Sequence, residues 1–360
     1  MHLDGDVPGL WAGEDDVVPL ATRMLTVSER TNGDRAASEL ELQQPRPTSL
    51  RAGDLTSEET VRPTIRTPRR GWRRAVHLAS AGLVSLGPSA AERRQRELVA
   101  RVKTPIAGCR KVAFLSRKGG VGKTTTCLLT GHTFASYRGD RVVALDANPD
   151  AGTLAHRLRR ESTETIATLL DEREAIGRYA DVRAYTSQAP SRLEVVAGDD
   201  RSQLATTLRH SDVADAIGVL ERHYNLVCLD TAAGVLSSAA QGVLGAADQV
   251  VIISPPNLDG ARAASATLDW LNENGHDHLA QQAVTVLNGI RHQRTPVDLD
   301  RLEHHFASRC RACIRIPWDP HLDTGAEVTP EQLRPDTRQA YLELAAAIAG
   351  GFTETPTRRQ

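Results

Sequence analysis

From residue 111 onward, short apolar runs alternate with segments of helical period. Lys111–Ser116, Arg141–Asp146, Leu193–Ala197, Asn225–Asp230, Gln249–Ser254, Ala283–Asn288 and Cys313–Pro317 are short and dominated by apolar residues. Such runs predict strands buried on both faces. Between them, Thr124–Tyr137, Ser211–Tyr224 with Ser211 as its cap, Leu258–Asn274, Leu299–Arg309 and Arg338–Ala349 predict helices. Repeated strand–helix alternation predicts an α/β fold of three layers, a mostly parallel sheet flanked by helices. No internal repeat is visible.

The chain before residue 110 has a different texture. Trp72, Val76, Ala79 and Leu83 recur at helical spacing among Arg69, Arg70, Arg73 and Arg74. Ser89 and Glu92 match a capping box, in which hydroxyl and carboxylate each satisfy an orphan amide. Leu98, Val99 and Val102 then give a second helix an apolar side. Residues 69–109 therefore read as a basic helical arm. Residues 1–68 show no sustained period and carry Pro45, Pro47, Pro63 and Pro68. Their apolar content is too low to offset ordering entropy, so they read as a disordered acidic tail. The main domain spans 110–352, and 353–360 is a polar tail.

Charge sharpens these boundaries. The 360 residues sum to a net charge of −1. Residues 1–60 carry −7, residues 61–110 carry +10, and residues 111–360 carry −4. No apolar run reaches the about 18 residues of a membrane-spanning helix, and Met1–Asp16 lacks the apolar centre of a secretory leader. Five cysteines, an odd number, fit a reducing cytoplasm better than a disulfide framework. The expected location is the cytoplasm, with peripheral attachment to the inner face of the plasma membrane as an extension. Of 44 basic residues only four are lysine, at positions 103, 111, 118 and 123.

Two of those lysines fall in Ser116-Arg117-Lys118-Gly119-Gly120-Val121-Gly122-Lys123-Thr124-Thr125, between a predicted strand and a predicted helix. That is the setting of a phosphate-binding loop. Glycines let backbone N–H groups turn inward, and the helix points its positive end at the phosphates. In such a loop Lys123 would reach the β- and γ-phosphates, and the Thr124 hydroxyl would ligate Mg²⁺. A loop that merely joined strand to helix would need neither lysine, in a chain that otherwise uses arginine. The standard pattern has Gly where this chain has Arg117.

The segment Lys118–Thr125 resembles the deviant Walker A box of the MinD/ParA family of P-loop ATPases. Val142–Asp150 resembles that family's switch I strand end. Leu226–Gly234 resembles its switch II. Val284–Asn288 and Ile316–Asp319 resemble the late strand ends that frame adenine. The resemblance implies an ATP-dependent homodimer that sandwiches two nucleotides. In it, Gly119, Gly120, Val121, Gly122, Lys123, Thr124 and Thr125 bind ATP, with Asn288 and Pro317 beside the adenine. Lys118 crosses to the partner's phosphates. Asp146 positions Mg²⁺ and its waters, and Asp230 holds Mg²⁺ through water. One departure stands out: the family's water-orienting Asp is Asn148 here, which slows expected hydrolysis, and Asp150 is a candidate substitute. Gly71-Trp72-Arg73-Arg74, Asp146–Asp150 and Ile316–His321 also resemble large actinobacterial MinD-like ATPases, some tied to type VII secretion. The implied work is septum-site positioning, chromosome or plasmid partition, or secretion support.

The weaker signals leave alternatives. Segment 69–103 suits docking on its own domain, DNA through phosphate neutralisation, an anionic membrane, or secretion machinery. Asn148 favours a nucleotide-gated scaffold with little hydrolysis. Cys310 and Cys313 behind His304-His305 are the sole support for a metal-cluster carrier, and a buried thiol acting as a small hydrophobe is the preferred reading. A tyrosine-kinase relative is disfavoured because the tail has no clustered tyrosines.

Overall fold

The computed structural model describes residues 89–148, 152–198, 209–234, 238–291 and 297–353. The acidic tail, the first helix of the basic arm, Asp150 and residues 354–360 lie outside the described residues. Helix α1 (Ala90–Val102) precedes strand β1 (Arg110–Leu115) and helix α2 (Lys123–Tyr137). Then come β2 (Val142–Asp146), α3 (Ile166–Asp171), α4 (Tyr179–Arg183), β3 (Ser187–Gln188), β4 (Glu194–Val196), α5 (His210–Glu221) and β5 (Leu226–Asp230). They are followed by α6 (Ser238–Ala246), β6 (Gln249–Ser254), α7 (Leu258–Glu273), α8 (Asp277–Gln282) and β7 (Val284–Ile290). The last elements are α9 (Leu299–Ala307), β8 (Ala312–Pro317), α10 (Pro320–Asp323) and α11 (Pro335–Ala349).

The eight strands form one sheet in the order β3-β4-β2-β5-β1-β6-β7-β8. Every pairing is parallel except β3 with β4 at one edge. The expected three-layer α/β fold is therefore the observed one. Its cause is visible along β1. Val112 and Phe114 face one core with α1, α2 and α11, while Ala113 and Leu115 face the other with α5, α6 and α7. All four are fully buried, and a buried Leu or Phe contributes about 1.5–3 kcal/mol. Such strands cannot present a polar face, so both sides need helices.

β1 lies between β5 and β6, and the chain leaves it toward both edges. In open α/β sheets that reversal opens a crevice at the carboxyl ends of the central strands. Residues Leu115–Lys123, Asp146 and Asp230 all lie at that end.

The described part of the basic arm is docked. The Ser89–Glu92 capping box is present, with Glu92 N donating to Ser89 Oγ at 3.1 Å and Ser89 N donating to Glu92 Oε2 at 3.0 Å. Leu98 and Val102 are buried in the α2–α11 core. Arg138 donates to Val102 O at 2.6 Å and Thr104 O at 2.7 Å, fixing the arm's exit. Arg93, Arg94 and Arg101 remain exposed on α1.

Two expectations change. Ser211 does not cap α5: the helix begins at His210, and Asp212 at its third position accepts from Arg209 N at 2.9 Å. A carboxylate there does the work assigned to the hydroxyl. The closing helix starts at Pro335, where a fixed φ suits the first turn and no N–H is wasted. No helix among the described residues is long and apolar enough to cross a membrane.

Candidate functional site

The loop between β1 and α2 is shaped by two left-handed glycines, Gly120 at φ +72° and Gly122 at φ +87°. Gly122 is the N-cap of α2, so the turn delivers Lys123 into the first helical position. A Cβ built on Gly119 or Gly120 would meet nothing within 4 Å. That side of the loop is open space, the room a phosphate chain requires. Behind the loop, Asn288 Nδ2 donates to Val121 O at 2.8 Å. Asn288 thus braces the loop from the end of β7, a role the sequence did not indicate. Thr126 Oγ1 donates back to Gly122 O at 2.8 Å and tightens the first turn of α2.

Lys123 turns toward the sheet. Its ammonium donates to Asp230 Oδ1 at 2.9 Å and to Thr231 O. Asp146 and Asp230 are register partners at the ends of β2 and β5, and both are buried. Asp146 accepts from Leu154 N at 2.9 Å and Asn148 N at 3.2 Å. Burial, followed by the Asp230 charge, nevertheless raises its pKa well above the usual carboxylate value. Two glycines let the backbone close around it. A Cβ on Gly152 would stand 2.1 Å from Asp146 Oδ2, and one on Gly198 would stand 3.2 Å from its Cγ. Neither glycine was singled out in the sequence; a Gly two residues after Asp150 was the available signal.

Lys118 stands apart from Lys123. It is exposed, and its Nζ lies 3.9 Å from Asp259 Oδ2 at the start of α7. Arg117 beside it is also exposed. Asn148 is half-buried directly past β2. Pro317 ends β8, in register with Ile290. Thr124 is half-buried and Thr125 buried at the start of α2. The crevice therefore gathers the predicted loop residues with Asp146, Asn148, Asp230 and Asn288.

The donor set fits a nucleotide with a divalent cation: an open glycine loop, a helix N-terminus, one ammonium and two carboxylates. Residues 109–280 match the family described as an AAA domain. The ESX-1 secretion-associated protein EspI of Mycobacterium tuberculosis is 37% identical over 292 residues, 81% of this chain and 43% of that one. Maintenance of carboxysome distribution protein A of Synechococcus elongatus is 32% identical over 168 residues, 45% of this chain and 64% of that one. The septum site-determining protein MinD of Pyrococcus horikoshii, solved with Mg-ADP, shares the fold. Its TM-score is 0.53 at 18% identity, over 66% of this chain and 94% of that one. Together these likenesses support a MinD/ParA-type P-loop ATPase. It spans less than half the length of EspI. Residues 89–360 are too few to hold the 292 aligned positions, so that likeness runs back into the basic arm.

The MinD/ParA core leaves the cysteine pair outside the crevice. Cys310 Sγ donates to Phe306 O at 3.1 Å. Burial pushes the Cys313 thiol up to about 12. His305 Nε2 is engaged with Ser265 Oγ at 2.8 Å. Cys310 and Cys313 pack in the core, and His305 is engaged at the surface.

Proposed function

We propose that this chain is an ATP-binding and ATP-hydrolysing dimeric switch. The observation that carries the reading is the open glycine loop whose Lys123 is already drawn to Asp230, with Lys118 exposed on the same end of the sheet. The amides of Gly119–Thr125 and Lys123 hold the phosphates. Thr124 and Asp230 hold Mg²⁺, with Asp146 orienting its waters. The bound cation supplies charge neutralisation between the β- and γ-phosphates. Asn148 orients the attacking water through its amide. Asn288 and Pro317 flank the adenine. Lys118 of each subunit crosses to the partner's phosphates, so closure depends on ATP.

Secretion support is the cellular task best aligned with the name and 37% identity of EspI. Positioning, the task in the name of the cyanobacterial relative, is the other member of the same class. The exposed arginines of α1 offer a contact for secretion machinery, DNA or an anionic membrane at the inner face of the plasma membrane. A second reading, a nucleotide-gated scaffold, is favoured by Asn148, because an amide cannot accept a proton from water. Size measurement with and without ATP tests the switch. The native chain should shift from monomer to dimer with ATP and turn it over, and Lys118→Ala should remain monomeric while still binding nucleotide. A native chain whose size ignores ATP would end the switch reading. A dimer without turnover would leave the scaffold.

A further inference from the structure

The segment Asp230–Gly234 is tied to both lysines of the crevice. At its start, Asp230 and Thr231 receive the Lys123 ammonium. Thr231 Oγ1 donates to Phe114 O at 2.8 Å, which clamps this start against β1. At its end, Gly234 N donates to Ser116 O at 2.8 Å. Ser116 is 3% exposed, so it sits inside the fold while the residues after it are exposed. Its hydroxyl accepts from Lys118 N at 3.2 Å and donates to Lys118 O at 3.0 Å. One oxygen thereby closes both backbone groups of Lys118 into a tight turn, with Arg117 at the outer bend.

We propose that Ser116 is a positioning residue that couples the Asp230–Gly234 segment to the direction of Lys118. The proposal rests on the switch reading above. The Ser116 carbonyl receives the far end of the segment, and its hydroxyl sets the turn that aims Lys118 out of the subunit. When Lys123 leaves Thr231 O for a phosphate, the segment loses one of its ties at that end and keeps the Thr231 Oγ1–Phe114 O clamp. The change then reaches Lys118 through the Gly234–Ser116–Lys118 bonds. The Lys118–Asp259 pair cannot set this direction. Its side chains are 45% and 74% exposed, and a pair so open to water is worth at most about 1 kcal/mol.

Ser116→Ala removes the hydroxyl, and Ser116→Thr restores it. Three readouts separate a coupling role from a merely structural one: nucleotide affinity, ATP-dependent dimerisation with turnover, and the rate of tryptic cleavage after Arg117 and Lys118 without nucleotide. For the alanine variant, affinity should stay within about twofold of native, while dimer association and turnover fall about tenfold. Cleavage at the loosened turn should speed up several-fold. The threonine variant should return all three to near native. Dimerisation, turnover and cleavage all unchanged in the alanine variant overturn the proposal. So does a loss of nucleotide affinity as large as the loss of dimerisation, or a folded threonine variant that behaves like alanine. If the native chain itself stays monomeric with ATP, the switch reading fails instead. The cleavage comparison then decides Ser116 alone, and equal rates overturn it.

Discussion

At Gly122 a methyl group would meet both backbone strain and a close neighbour. The residue sits at φ +87°, and that backbone conformation costs a residue with a Cβ about 1–2 kcal/mol. The Cβ of an alanine would stand 2.3 Å from Asn288 Nδ2, inside any real contact. Asn288 must then leave Val121 O, forfeiting a part-buried hydrogen bond worth about 1 kcal/mol. Gly122→Ala should therefore destabilise the nucleotide-free chain by about 2–3 kcal/mol. Gly120→Ala is the control. It shares a positive φ of +72° but opens on empty space, so only the conformational cost of about 1–2 kcal/mol applies.

Urea unfolding of the two variants, read by midpoint at constant slope, compares them directly. Asn288→Ala placed in the Gly122→Ala background removes the clash. The double-mutant cycle should show favourable coupling of about 1 kcal/mol. Equal losses for the two glycines, or a strictly additive cycle, would refute the bracing of the loop by Asn288.

Two further predictions concern proton balance and chemistry. His132 is 3% exposed, and burial lowers its pKa from 6.5 to about 4. The unfolded chain takes up this proton first as pH falls, so stability is full above pH 6.5 and erodes toward about 4, with a cost of about 2 kcal/mol between pH 7 and pH 5. His132→Gln should flatten that acid slope in thermal unfolding, and matching slopes in both proteins would count against a buried neutral imidazole. Asn148→Asp should raise ATP turnover about tenfold by supplying a proton acceptor for the attacking water; an unchanged or lower rate would mean that positioning alone limits the reaction.

The central strands were readable because each is an almost unbroken apolar run, which only a sheet covered on both faces accommodates. Leu226–Asp230 and Gln249–Ser254 appear within a residue of expectation for that reason. The edge was harder. β3 has two residues and β4 three, and their register is set by tertiary bonds around buried Glu194, including Tyr224 OH donating at 2.6 Å. Helices α3, α4 and α8, of five or six residues, are too short to display a helical period. At the site, the loop was legible because its glycines, lysines and threonines have no bland use together. Asn288 was legible as a residue of the crevice but not as a brace, because its partner is a backbone carbonyl 167 positions away. Ser116 acts through a hydroxyl bonded to nearby backbone groups, and Gly152 and Gly198 act by lacking a side chain beside Asp146, none of which leaves a residue pattern to read.

The charge balance of the crevice explains why a metal-nucleotide complex would complete it. Asp146 and Asp230 lie side by side at the strand ends, both buried. One ammonium, Lys123, faces them, and it reaches Asp230 at 2.9 Å. Two carboxylates face one cation in a low-dielectric place, a deficit of positive charge, and burial first and the Asp230 charge second raise the Asp146 pKa even though Leu154 and Asn148 donate to it. Bringing a nucleotide phosphate to Lys123 draws the ammonium away from Asp230 and deepens the deficit. A divalent cation held by Thr124 and Asp230 would offset it, supplying the positive charge that Lys123 withdraws. Neither component alone balances the site. On the proposed reading nucleotide and cation would enter together, and the segment that would release Lys123 is the one joined through Ser116 to Lys118.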